Sequence, residues 1–470
     1  MKARALLNIG FKQGPVIGKL LLACKEARLK MSSQEVKDLV EELHSFPKNY
    51  FDHSVFGECA REWDTCLHPE QLYSFGTEGK PLSIWGKENI DDQTIDQMNN
   101  ALSLPVSVGG AIMPDGHLGY GLNIGGVLAT KDAVIPYAIG QDIACRMMCS
   151  ILPIEAIEGK DDPLIKRERE FIRVIEKNTR FGAGCKFQGK DRRNASVMDE
   201  DWKISLIVSQ MKDTAWDQLG TSGGGNHFVD FGIIEFKENY KGVIAGKYVA
   251  ILTHSGSRGP GNKIATHYSK VARMQHPHLP KQYQHLAWLP LDGDGAEYWE
   301  AMELMGRYAS ANHHCIHETI LRDLNLDPLL QVENHHNFGF KETFNGEELI
   351  IHRKGATPAG IGDSGLIPGS MATPGFLVEG KGNLASYNSA AHGAGRAMSR
   401  RAAKDKYCWA PIKDQLKHRK VKLISGGIDE VPGAYKSIEK VMAAQEDLVE
   451  VVAKFQPRLV KMADDGFVED

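Results

Sequence analysis

Residues Tyr387 to Arg401 read Y-N-S-A-A-H-G-A-G-R-A-M-S-R-R, one histidine followed at once by Gly-Ala-Gly and then by arginines at 396 and 400. Glycines beside His392 let backbone or phosphate approach the imidazole, and arginines four residues apart share one face of a helix that follows. The stretch reads as a phosphate-handling site built around a nucleophilic histidine. Taken alone, a plainer reading is slightly favoured, with a satisfied histidine in a loop and solvated arginines. The other glycine- and histidine-rich windows of the chain reverse that balance.

Working outward, M-P-D-G-H-L-G-Y-G starts at Met113, and P-Y-A-I-G-Q-D-I-A-C starts at Pro136 and sets Asp142 and Cys145 three apart. A carboxylate and a thiol on one face of a turn can chelate. G-G-G-N-H-F carries His227, T-H-S-G-S-R-G carries His254 and Arg258, and N-H-H-N carries His335 and His336. Three imidazoles, a thiolate and a carboxylate form a borderline-soft set suited to Mn, Fe, Co or Zn, whereas Mg or Ca would take oxygen throughout. Each histidine alone reads as structural; the windows together read as a metal site. Three familiar signatures fail. G-F-L-V-E-G-K-G from Gly375 has Gly382 where a phosphate loop needs Ser or Thr, H-E-T-I-L from His317 lacks the second histidine of a zinc protease, and G-D-S-G from Gly362 is too short for a serine-hydrolase elbow. The chain also lacks the K-x-D-G of an adenylating lysine, so a covalently carried nucleotidyl group would sit on a histidine.

With 470 residues, 42% hydrophobic and 25% charged, the chain has the composition of a globular protein with a large core. Its eight cysteines show neither a paired framework nor C-x-x-C, and Lys12, Lys19 and Lys25 break any leader-like apolar run, so a reducing, cytoplasmic location is expected. No apolar run approaches the ~20 residues of a membrane span. A net charge of −4 excludes indiscriminate nucleic-acid binding but allows a local basic face; Lys413 to Lys422 reads equally as part of one or as a solvated helix. Residues 1–80 are expected to form a small helical appendage, with a capped start at S-S-Q-E from Ser32, a helix over 17–29, and a Gly/Lys/Pro linker near 77–81. Residues 81–470 form a mixed body. β-branched runs at 127–128, 233–234, 248–252, 349–351 and 423–424 predict strands, while 164–176 and 298–321 predict helices, which makes the class α+β. The acidic tail 462–470 is expected to fray.

From Ile84 to Lys461 the windows, in order, resemble the RtcB-type RNA-splicing ligases: M-P-D-G-H-L-G-Y-G, the D-x-x-C pair, G-G-N-H-F, H-S-G-S-R-G, H-H-N, H-R-K-G-A, I-P-G-S-M and H-G-A-G-R-x-M-S-R. Residues 1–80 fall outside the resemblance. It implies an RtcB-like catalytic domain that joins RNA 3′-phosphate or 2′,3′-cyclic phosphate ends to 5′-hydroxyl ends, using GTP and two Mn²⁺ ions. The guanylate carrier would be His392, and Asp115 matches an aspartate needed for activity. The metal ligands would be Asp142, Cys145, His227, His254 and His336, with Cys145 bridging. Nucleotide contacts would fall on Asn226, Phe228, Asp230, Asn337, Ser370, Ala394, Gly395, Tyr435 and Lys461, and RNA phosphates on Arg258, Arg396 and Arg400.

Three departures stand out. The family's V-D-I-G-C-G-M is Q-D-I-A-C-R-M here, placing Arg146 after the chelating cysteine; Asp230 replaces a glutamate that contacts guanine; and Gly375 replaces a serine. They lead us to expect altered nucleotide fit and RNA approach, in a divergent, repair-type branch. The alternatives are a protein that only holds broken RNA ends, or a metal-dependent phosphodiesterase that opens cyclic phosphates without sealing.

Overall fold

The structure, a computed structural model, describes residues 1–68, 72–156 and 159–465. Four helices, Ala3–Ile9, Pro15–Ala27, Ser33–Ser45 and Gly57–Leu67, open the chain. Their apolar residues close on a core of their own that includes Leu20, Val40, Leu43 and Trp63. S-S-Q-E forms a capping box: the Ser32 hydroxyl accepts from the Glu35 amide at 3.3 Å, and the Glu35 carboxylate accepts from the Ser32 amide at 2.8 Å. Glu62 and Cys66 of this unit meet the two ring nitrogens of His278 at 3.0 and 3.5 Å. Tyr73 and Phe75 pack on the core of the body, with Phe75 stacked on Tyr283 at a centroid distance of 4.3 Å.

The body is α+β, and the five β-branched runs all lie in strands. Residues 298–321 lie within the long helix Asp294–Leu324. The expected helix over 164–176 is two, Pro163–Lys166 and Glu168–Asn178, because Arg167 leaves helical geometry at φ −109° and ψ 20°. The last strand, Val449–Met462, takes up the start of the acidic tail; residues 466–470 of that tail lie outside the described residues. All eight cysteines are unpaired, and among the described residues no helix is long and apolar enough to cross a membrane.

Two sheets position the site. In the larger, the order is Ser364–Ile367, Gly375–Gly380, Val449–Met462, Phe228–Phe236, Gly246–Ser255, Arg146–Glu155 and Leu330–His335, each antiparallel to its neighbour. Register sets Phe228 and Met147 on either side of His254, and Arg146 beside His335. In antiparallel strands the start of one lies beside the end of the next. Cys145, His227, His254 and His336, remote in sequence, are thereby delivered to one end of the sheet. The helix Asp294–Leu324 braces that end from behind. Asn312 Oδ1 accepts from the Gly220 amide at 2.7 Å, and His313 and His317 meet the Thr253 hydroxyl at 2.7 and 2.8 Å, one residue before His254.

The second sheet, in the order Leu82–Ile84, Ser107–His117, Ile124–Thr130, Glu347–Lys354 and Asn337–Phe344, carries Asp115. Beyond it, Ser389–Ala391 pairs with Ala356–Pro358 and leads straight into His392. Arg353, fully buried, ties the two together: it donates to Ser389 Oγ at 2.8 Å and Tyr387 O at 2.7 Å, pairs with Glu342 at 2.6 Å, and lies over the Phe340 ring. Hydrogen bonds to charged groups each contribute roughly 1.5 to 3 kcal/mol, and a buried partner left unpaired costs more. Arg353→Ala is therefore expected to lower the unfolding free energy by about 3 kcal/mol or more, read as a lower urea midpoint. An unchanged midpoint would show that this network does not secure the segment before His392.

Candidate metal centre and nucleotide cavity

The turn that holds Asp142 and Cys145 is closed by the Cys145 amide, which donates to Asp142 O at 3.2 Å. Cys145 Sγ lies 3.1 Å from His254 Nε2 and 3.4 Å from His227 Nε2. His336 Nε2 is 3.2 Å from His254 Nε2, and Asp142 Oδ2 is 3.2 Å from His227 Nε2. All five side chains expected to chelate thus converge, and among the described residues Cys145, His227 and His254 form a metal-type cluster. Burial lowers His254 to about 3 and holds His336 well below the usual range, so their imidazoles are neutral and carry lone pairs. Burial would raise Asp142, but His227 beside it, helped by Arg258, keeps it a carboxylate. Burial and then the Asp142 charge push the Cys145 thiol well up. Asp142 Oδ2, buried, has His227 as its one close polar neighbour among the described residues, without a well-formed hydrogen bond. A desolvated carboxylate, a thiol and lone-pair imidazoles in this arrangement fit a divalent cation, which would compensate the buried charge and stabilise a thiolate.

His392 stands next to this set, its ring centroid 4.9 Å from that of His336. Asp115, fully buried, takes His392 Nδ1 at 2.6 Å and the His392 amide at 3.2 Å on the same oxygen, Oδ2. A carboxylate at Nδ1 selects the tautomer whose lone pair is on Nε2. The approach requires Gly395: at φ +70°, an added Cβ would lie 2.2 Å from Asp115 O. Gly223, at φ +113°, is required for the same reason, since its Cβ would fall 2.5 Å from His227 Nδ1.

A cavity of about 270 Å³ opens beside His392 and His254. Asn226, Phe228, Asp230, Ser370, Ala394, Gly395 and Tyr435 all line it, as do Arg396 and Arg400. Asn337 and Lys461 are outside its lining. Asn337 sits on the metal side, donating to Asp142 O at 3.2 Å and accepting from the Gly355 amide at 2.8 Å. Lys461 Nζ is 3.8 Å from Glu176 and lies over the Phe181 ring. Arg258, 1% exposed with φ +57°, donates to Thr221 Oγ1 at 3.1 Å and Gly182 O at 3.4 Å.

One local expectation is corrected. Arg396 and Arg400 do not share a helix face, because Ser399 caps a helix that begins only at Arg400, while Arg396 lies in a bridge with Tyr435. They converge instead through an acidic pair: Arg396 donates to Asp429 O at 2.8 Å, Arg400 pairs with Asp429 at 3.0 Å, and both reach the buried Glu430. Arg146, next in the chain after Cys145, points away from the metal-type cluster. Its strand turns it away to Glu333 at 2.8 Å and Gly306 O at 3.3 Å. Sequence reasoning assigned no role to Glu430, which also takes the Tyr435 hydroxyl, or to the cavity-lining His117, whose Nδ1 is 2.9 Å from Asp115 O. The one available signal for Glu430 was two adjacent acids between G-G-I and V-P-G, a setting too tight for solvated carboxylates.

An α+β chain whose two sheets bring a metal-type centre against a carboxylate-held histidine defines a class, and sequence comparison gives it a family. Residues 97–205 and 166–462 match the family described as tRNA-splicing ligase RtcB, and the chain belongs to it. It is similar to the RNA-splicing ligase RtcB1 of Escherichia coli strain ATCC 25922, 33% identical over 408 residues, covering 80% of this chain and 96% of the relative. The RNA-splicing ligase RtcB of Escherichia coli K12 is 32% identical with the same coverage. The tRNA-splicing ligase RtcB of Nanoarchaeum equitans is 29% identical over 466 residues, 82% of this chain and 96% of the relative.

Against the family pattern, Ala144 replaces glycine just before Cys145, and its φ is +57°. A left-handed conformation costs a residue with a Cβ about 1–2 kcal/mol. Ala144→Gly is accordingly expected to raise the unfolding free energy by about 1 kcal/mol while leaving metal content unchanged; a fall in thermal stability would contradict the strain. At the neighbouring ligand, Cys145→Ser exchanges a soft donor for a hard one that resists deprotonation, and metal retained after equilibrium dialysis against Mn²⁺ should drop at least tenfold.

Proposed function

We propose that this chain is a GTP- and Mn²⁺-dependent RNA ligase of RNA repair or tRNA splicing. It joins a 3′-phosphate or 2′,3′-cyclic phosphate end to a 5′-hydroxyl end through guanylate carried on His392. The observation that carries this reading is the His392–Asp115 pair between the metal-type cluster and the cavity. Asp142, Cys145, His227, His254 and His336 would hold the metal. When bound, it supplies charge neutralisation at phosphate and water of lowered pKa.

The residues of the chain do the rest. Asp115 keeps the proton on Nδ1 and steadies the charge that His392 gains as Nε2 attacks the α-phosphorus of GTP. The P–N bond forms, the bond to the β-phosphate bridging oxygen breaks, and pyrophosphate departs. The guanylate then passes to the RNA 3′-phosphate, and the 5′-hydroxyl displaces GMP. Arg396 and Arg400 line the cavity together with Glu430 and are tied to it and to Asp429, so an arriving phosphate shares guanidinium groups already oriented. Arg258, buried, acts through Asp142. Phosphate contacts of this kind select end chemistry rather than base order.

Asp230 supports a base-edge role. It lines the cavity, is 5% exposed, and its Oδ1 has no partner. Burial pushes its carboxyl well above the usual range, with the Lys461 amide opposing. A guanine edge, which offers N–H donors, favours the ionised form and lowers that pKa. Nucleotide binding then releases a proton, and affinity for GTP rises with pH, a dependence absent from Asp230→Asn. Asp230→Glu, one methylene longer, is expected to raise the preference for GTP over ATP several-fold in single-turnover labelling. Strong GTP selectivity in the unmodified chain, unchanged by this substitution, would show that the shorter carboxylate already suffices.

The primary test is incubation with α-labelled GTP and Mn²⁺, then denaturing electrophoresis. An acid-labile, base-stable covalent label selects the ligase over a protein that merely holds RNA ends or a phosphodiesterase that only opens cyclic phosphates. His392→Ala should abolish the label while retaining metal, and Asp115→Asn should slow labelling about a hundredfold or more by freeing the tautomer. Wild-type labelling of His392→Ala would remove that residue from the reaction.

A further inference from the structure

The segment after the helix Glu168–Asn178 links the metal centre to a second surface. On its inner side, Phe181 bridges to Gly223, the Gly182 amide donates to Gly223 O at 2.7 Å, the Ser222 amide donates to Arg180 O at 2.9 Å, and Gly182 O receives Arg258. Gly223 opens the turn that delivers His227. On its outer side, between the segment and the helix Asp294–Leu324, lies a cleft of about 630 Å³. Lys177, Arg180, Lys190, Arg192, Arg193 and Arg322 line it against only Asp191 and Glu318.

The cations of this cleft are unevenly neutralised. Lys177 pairs with Asp323 at 2.6 Å and Arg192 with Asp217 at 3.0 Å. Among the described residues, no carboxylate lies within ion-pair distance of Arg180, Lys190, Arg193 or Arg322. Arg180 and Arg193 both lie on the ring of Phe187, 4.7 and 4.6 Å from its centroid, and Arg193 Nε is buried without a partner. Burial first, and then the charges of Arg322 and Arg180, pull Arg193 below the usual arginine range. Like charges gathered at a buried aromatic repel one another unless an anion joins them. Because Phe187 is 3% exposed beneath the two guanidinium groups, it offers no face on which a base could stack. What the cleft offers a ligand is a set of donors for phosphate oxygen.

We propose that this cleft binds backbone phosphates of the RNA strand flanking the end to be joined, holding it while the terminus reaches the metal centre. The proposal rests on RNA being the substrate. It explains why the arginine-rich loop is wired by main-chain bonds to Gly223 and Arg258, and it assigns the cleft no base preference.

The test compares Lys190→Gln/Arg193→Gln/Arg322→Gln with Lys263→Gln/Lys270→Gln/Lys281→Gln, which removes the same charge from exposed lysines elsewhere. Fluorescence anisotropy with a single-stranded RNA 20-mer ending in 3′-phosphate is recorded across a salt series, with a trinucleotide bearing the same end as the short probe. Each phosphate contact contributes about 0.7 to the slope of log affinity against log salt for single strands. The cleft variant should therefore lose about 2 from the slope and roughly ten- to fiftyfold in affinity near 0.15 M salt, while the lysine variant keeps the wild-type slope and trinucleotide binding is unchanged in both. The double variant Lys190→Gln/Arg322→Gln, confined to exposed side chains, should lose about 1 and decides the matter if the triple variant misfolds. A wild-type slope in the cleft variants, or an equal loss in the lysine variant, overturns the proposal. Self-labelling with GTP needs no RNA. Failure of labelling in the unmodified chain would sink the ligase reading alone, and labelling with an unaltered cleft slope would sink only this inference.

Discussion

The antiparallel register of four adjacent strand ends is the constraint on which the centre depends. Cys145 precedes one strand, His227 precedes a second, His254 lies near the end of a third and His336 follows a fourth, and only the pairing that sets Phe228 and Met147 beside His254 brings them together. A slip of one residue in any of these ladders would turn the donor to the opposite face. The long helix behind guards against such a slip. Its Asn312 fixes the turn at Gly220, and its two buried histidines, held neutral by desolvation, share the Thr253 hydroxyl. Polar groups inside the core thus specify register, a role that apolar packing performs less sharply.

The electrostatics of the centre follow from its dryness. Desolvation alone would protonate Asp142 and leave Cys145 a thiol, and it strips the proton from His254 and His336. Asp115 repeats the pattern on the other sheet: fully buried, it has His392 as partner on one oxygen and none on the other. Such groups weaken a fold and survive where function needs them. The strain at Ala144 and Arg258, both in the left-handed region, clusters at the same place.

The chemistry was more legible in the sequence than the geometry. Histidine in glycine-rich loops, and the D-x-x-C spacing, pointed to the residues that converge, because ligand type and close backbone approach leave local traces. The α+β class was legible because β-branched runs and helical periodicity are also local. The placement of Arg396 and Arg400 was not, since helical spacing assumed a helix already begun at 396, while the Ser399 cap starts it later. The direction of Arg146 was not legible either, because sequence adjacency to Cys145 hides the alternation of a strand, which turns successive side chains to opposite faces. Glu430 escaped notice because its arginine partners, Arg396 and Arg400, lie in a separate segment of the chain.

The order of the chain has a consequence for how the protein is made. Every donor of the metal-type cluster has been synthesised by residue 336, whereas His392 follows and the strand Val449–Met462, central to the larger sheet, comes last. A nascent chain therefore holds all the side chains of the metal-type cluster before it holds the whole of the sheet and cavity wall around them. The cavity wall closes only when the final strand inserts between Phe228–Phe236 and Gly375–Gly380. A product truncated before that strand would lack both the middle of the larger sheet and one wall of the cavity.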